Sequence, residues 1–106
     1  MPKYLLQASY TADGAKGLLK DGGSKRRAAA QALVESLGGK LEAFYFAFGK
    51  DDVVALIEMP DAASMSAASL ALGATGAVTG STTVLIAPEE IDQATKKSVT
   101  YTPPGR

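Results

Sequence analysis

The chain has 106 residues, 46% of them hydrophobic and 21% charged, with eleven basic residues against eleven acidic ones. That length supports one domain with a modest core, and the charge balance leaves no global field to gather nucleic acid or an anionic membrane surface. Neither cysteine nor histidine occurs, which excludes disulfides, thiolate chemistry and Cys-ligated metals, and removes imidazole as base, proton shuttle or haem ligand.

A metal would need an all-oxygen site, and a catalytic base would have to be Asp, Glu, Lys or Tyr. No run approaches the ~20 apolar residues of a membrane span. The opening MPKYLLQASY lacks the apolar stretch and small-residue cleavage site of a signal peptide. The expected compartment is the cytoplasm, with no nucleic acid, membrane, metal or cofactor among the expected partners.

In chain order, Lys3 to Tyr10 reads as a first strand. Thr11 offers an N-cap, with Asp13 in the first turn of the helix that follows. One helix over 12–37 would run roughly 39 Å, against about 26 Å for an eight-residue strand. A break is therefore expected at Gly22-Gly23, with Ser24 capping a main helix from Lys25 to Leu37 that Gly38-Gly39 terminates. The leader from Ala12 to Gly23, carrying Gly14 and Gly17, is expected as an extra element able to act as a lid at the end of the first strand. Leu41 to Phe48 and Asp52 to Met59 form a hairpin around Gly49, Lys50 and Asp51. A small-residue helix, Ala62 to Leu72, follows Pro60 and Asp61. Val78 to Ile86 is a β-branched fourth strand. Pro88, with Glu89 and Glu90 in the first turn and Lys96 and Lys97 in the last, marks a short final helix. Residues 98–106 form an extended tail in a single domain spanning 1–106.

The order strand, helix, strand, strand, helix, strand predicts an α+β, ferredoxin-like βαββαβ fold, an antiparallel sheet with helices on one face. The other face must be covered or solvated. If Gly49 pairs with Asp52 around a two-residue turn, then Phe48, Phe46 and Phe44 face Val53, Ala55 and Ile57 on the helix side. Tyr45 then meets Leu56, and Ala43 meets Glu58, on the far side. With Leu5, Gln7 and Ser9 from the first strand and Ser81, Thr83 and Leu85 from the fourth, the far face mixes apolar with polar groups. Such a face suits two sheets packed across a two-fold axis, so a homodimer is expected. Gln7, Ser9, Tyr45, Glu58 and Thr83 are the expected lining of a small-ligand cavity between the sheets. Glu58 and Tyr45 are the candidate proton carriers, against the plainer roles of a solvated rim carboxylate and an aromatic at a subunit seam.

Other features carry less chemistry. Lys25, Arg26 and Arg27 open the main helix without any glycine-rich phosphate loop, and a solvated basic face is the simpler reading. Asp51 and Asp52 fall short of a metal site, and Asp52 is expected to accept hydrogen bonds from the turn.

Three stretches, YLLQASYTADGAKGLLKDGG (residues 4–23), ALVESLGGKLEAFYFAFGKDDVV (32–54) and LIAPEEID (85–92), resemble the GYD domain family, small bacterial proteins with no assigned activity. In the Gly49-Lys50-Asp51-Asp52 run, Gly49 and Asp52 match the family's Gly-Tyr-Asp turn, and Asp51 stands where the tyrosine would be. The resemblance implies a ferredoxin-like subunit of the dimeric α+β barrel type. Three functions are then open: a homodimeric small-molecule-binding protein, a cofactor-free isomerase or monooxygenase, and a structural protein without a ligand. Fold alone does not choose among them.

Overall fold

In the computed structural model, which describes residues 1–106, the chain runs β1 (Lys3–Tyr10), α1 (Ala12–Asp21), α2 (Gly23–Ser36), β2 (Lys40–Phe46), β3 (Val53–Glu58), α3 (Ala62–Ala74), β4 (Val78–Leu85) and α4 (Pro88–Thr95). The four strands make one sheet in the order β2-β3-β1-β4, with every neighbouring pair antiparallel. This is an α+β fold compatible with the ferredoxin-like class.

Local chemistry sets the helix ends. Thr11 accepts the Gly14 N–H at 3.2 Å and donates its own hydroxyl to the Gly76 carbonyl at 2.7 Å, so one residue caps α1 and ties it to the loop before β4. The break between α1 and α2 lies at Gly22, where φ is +81°, a backbone region that glycine enters without a Cβ penalty. Because that residue both ends α1 and begins α2, the cap position falls on Gly22 and not on the expected Ser24, and α2 has no side-chain cap. At the other end of α2, Gly38 at φ +79° donates to the Glu35 carbonyl and Gly39 to the Val34 carbonyl, both at 3.0 Å. This paired closure consumes two of the helix's free carbonyls.

Even-numbered β1 residues and odd-numbered β3 residues face the helices. Tyr4, Ala55, Ile57 and Met59 from the strand side meet Val34 of α2 and Met65 and Ala68 of α3 in the core, with Leu33, Leu37, Leu41 and Phe44 packed around them. Met59 has no exposed surface at all. Phe44 and Phe46 meet edge to face on the same side, centroids 5.4 Å apart. Only ten of 106 residues are buried, so the subunit is thinly cored.

The hairpin differs from the sequence expectation in register. Phe46 pairs with Val53, Tyr45 with Val54 and Phe44 with Ala55, two residues away from the expected pairing, because residues 47–52 form a longer connection. The pairing then slips again between Leu41 and Ala43, leaving Leu41 opposite Ile57 and Lys40 opposite Glu58. Strict alternation from Phe44 and Phe46 would turn Glu42 toward the core and Leu41 away from it. The bulge reverses that phase, so the leucine is packed and the carboxylate released.

Beyond β4 the chain leaves the body. Every residue from Ile86 to Arg106 is exposed, and α4 makes no substantial contact with another element. The radius of gyration is 17.2 Å, against about 13 Å for a compact chain of this length.

Candidate functional site

The face of the sheet turned away from α1, α2 and α3 holds all five residues expected to bind a ligand. Gln7 lies at its centre, paired with Val54 on one side and Ser81 on the other. Leu5 between Leu56 and Thr83 forms the next row toward the β1 start, and Tyr45 stands beside Val54 on β2 with 69% of its surface exposed. Toward the other end, the Ser9 hydroxyl donates to Asp51 at 3.3 Å. The residues are thus brought onto one surface, but within a single subunit they enclose nothing.

Glu58 is not the isolated carboxylate that alternation implied. The Lys3 ammonium lies 3.1 Å from Glu42 and 3.6 Å from Glu58, so three strands contribute to one ionic cluster on the open face. The hydrogen bond from Lys3, joined by one with Glu58, holds the Glu42 carboxyl below the usual carboxylate range, and the same contact with Glu42 raises Lys3 above its ordinary value. Glu42 is the member that sequence reasoning missed. Its signal was available: a charged residue at a core-phase position beside a leucine at the opposite phase is what a one-residue bulge resolves.

The β2–β3 connection is tied to β1. Asp52 donates its N–H to the Ala8 carbonyl at 2.9 Å, and its carboxylate accepts the Tyr10 N–H at 2.9 Å. The partner of Asp52 is therefore the end of β1 and not the turn's own N–H groups, because the connection folds over the neighbouring strand. Asp51 meets Ser9 in the same closure. Phe48 at the tip is fully exposed.

On the helix side lies a separate cavity of about 360 Å³ between α1, α2 and the sheet. Leu6, Ala8 and Phe44 form its floor, Ala30 and Leu33 one wall, and Gly17 part of its cover. None of the five expected ligand residues reaches it. Of the basic triplet at the α2 start, Arg26 reaches the cavity wall while its guanidinium lies 3.4 Å from Asp21, and Lys25 meets the same carboxylate at 3.5 Å. The leader thus takes the position of a cover as α1. Volume in this range suits a small organic molecule, and the lining is largely apolar with a few polar groups at its margin.

No helix is long and apolar enough to cross a membrane. No curated protein and no solved structure matches the chain. The model of the GYD domain matches residues 4–95, from the second residue of β1 to the end of α4, taking in the sheet, the cavity and the Asp52 closure, and the chain belongs to the GYD domain family.

Proposed function

We propose that this is a homodimeric small-molecule-binding protein whose two sheets pack through their open faces, with Gln7, Ser9, Tyr45, Glu58 and Thr83 lining the space between them. The observation that carries this reading is the one-sided sheet. Its helix face carries the core around Tyr4, Ala55 and Ile57, while the opposite face sets Leu5, Val54 and Leu56 among polar side chains with no element of the same subunit over them. Apolar area of that kind is stabilised by covering it, and a second copy offers a self-complementary cover. In the assembly, the Gln7 amide and Thr83 hydroxyl would bond across the axis, to water or to a ligand.

A second place for the ligand is favoured by the helix-side cavity, which is ligand-sized within one subunit. The two places make different demands. A molecule between the sheets requires the dimer; one beneath α1 does not.

Native mass spectrometry of freshly purified protein tests the reading, since it registers stoichiometry and retained small molecules together. The expected result is a dimer carrying a reproducible extra mass that denaturation releases. A monodisperse monomer at micromolar concentration overturns the seam. Amide shifts on removing the bound molecule then locate it: changes at Gln7 and Thr83 place it between the sheets, and changes at Gly17, Ala30 and Leu33 place it beneath α1. Substituting Leu56→Asp puts a charge at the middle of the seam and is expected to give monomers.

A further inference from the structure

We infer that α4 and the tail after it form an arm that embraces a second copy of the chain, each subunit giving its arm to the other. The inference rests on the homodimer proposed above and adds to it a contact that the sheets alone do not make.

All 21 residues from Ile86 to Arg106 are exposed, yet their pattern is that of a surface meant to be covered. In α4, Ile91 and Ala94 fall on one side of the helix, three residues apart, with Asp92 and Gln93 turned elsewhere, and Ala87 caps its start. In the tail, Ser98 to Thr102 alternates, putting Val99 and Tyr101 on one side and Ser98, Thr100 and Thr102 on the other. Ile86, Ile91, Val99 and Tyr101 are between 48 and 78% exposed, a density of large apolar side chains that a solvated tail does not need.

The occupant follows from where the arm starts and what it can bury. Leu85, the last β4 residue, pairs with Lys3 and belongs to the open face, so the arm departs from the margin of the surface assigned to the seam. Within its own subunit α4 makes no substantial contact with another element. A neighbouring subunit seated on the open face is the surface the arm meets next. If each of the four side chains loses about 100 Å² and covers a like area, two reciprocal arms bury roughly 1,600 Å², the size of a standard stable interface. The exchange is isologous: the arm of each copy meets the same patch on the other, so the contact closes at two subunits.

The absence of cysteine allows a direct test. Full-length protein carrying Asp92→Cys, labelled with a nitroxide, is mixed with ¹⁵N-labelled wild type and allowed to exchange subunits. Only signals of the unmodified copy are observed, so broadening reports which of its residues lie near the other copy's arm. Broadening of a contiguous surface on the ¹⁵N copy is expected; its absence in a sample that sedimentation shows to be dimeric overturns the arm and leaves the sheet seam standing. A monomeric sample overturns both. Because the arm adds nothing to the core, the full-length double variant Ile91→Asp, Tyr101→Asp is expected to keep its far-ultraviolet circular dichroism while its dimer dissociation constant rises at least ~100-fold. An unchanged constant refutes the inference.

Discussion

Two glycines one turn apart in α1 should respond to the same substitution with opposite signs. Gly17 is central in the helix, and a Cβ there would meet nothing within 4 Å. Gly17→Ala therefore collects the helix propensity difference of about 0.8–1 kcal/mol with little opposing it. Gly14 is buried, and its Cβ would strike the Ala77 carbonyl oxygen and approach the Tyr10 ring to 2.9 Å. That carbonyl cannot retreat freely, because it already accepts the Thr11 N–H at 2.9 Å. Overpacking typically costs about 1–3 kcal/mol, so Gly14→Ala should lose up to about 2 kcal/mol net of the propensity gain. The propensity gain is common to both variants, so at about 4–8 °C per kcal/mol the two melting temperatures should separate by roughly 4–24 °C. Urea unfolding followed by circular dichroism at one protein concentration reads both variants, and unchanged slopes would confirm that the denatured states are comparable. If both substitutions stabilise, or both destabilise equally, α1 is not seated against Ala77 and the cover over the cavity is placed wrongly.

Met59→Ala should cost about 2–5 kcal/mol, since it empties the one fully buried large side chain of a thin core; a loss below about 1 kcal/mol in the same assay would mean that the core collapses around the gap. Asp52→Ala removes a charged acceptor from the Tyr10 N–H, and a loss of about 1.5–3 kcal/mol is expected, with faster amide exchange at Tyr10 as the local signature. Hydrogen bonds from Ser64 hold the Asp61 carboxyl below its ordinary value of 3.8. Its contribution to stability is therefore complete above that value and lost as pH falls through the lower folded-state value. Urea midpoints between neutral pH and pH ~2.5 should fall less steeply in Asp61→Asn than in wild type, and parallel curves would count against the cap. The Lys3 cluster is solvent-screened, so its hold on Glu42 should weaken as salt rises, visible as an upward drift of the Glu42 titration midpoint in carbon-detected spectra.

Much of the architecture was legible because it is encoded locally. Thr11, Gly38 and Pro88 announce their helix ends by side-chain chemistry, by freedom at positive φ and by a missing N–H, and the structure uses each in that way. The alternation in β1 and β3 named both faces correctly. The failures came where distant contacts decide. Asp52 reaches β1, 42 residues away for its bond to Tyr10, so no rule about the turn itself could set the hairpin length. Glu42 reached the open face only because burying a carboxylate beside α2 is worse than breaking a ladder, an energetic choice that strict period-two reading does not make. The helix-side cavity was not foreseen at all, since a space is defined by the residues around it, and Gly17, Ala30 and Phe44 come from three separate elements.

The bulge in β2 also bears on how copies of this chain avoid one another. Because β2 is an outer strand of the sheet, its unpaired backbone groups are a template on which another strand could grow without limit. An irregular step between Leu41 and Ala43, with Lys40 and Glu42 on either side of the first of them, spoils that template. A strand laid along it would lose register within a few residues and meet charges of both signs. Growth along this edge into open-ended fibres is thereby discouraged.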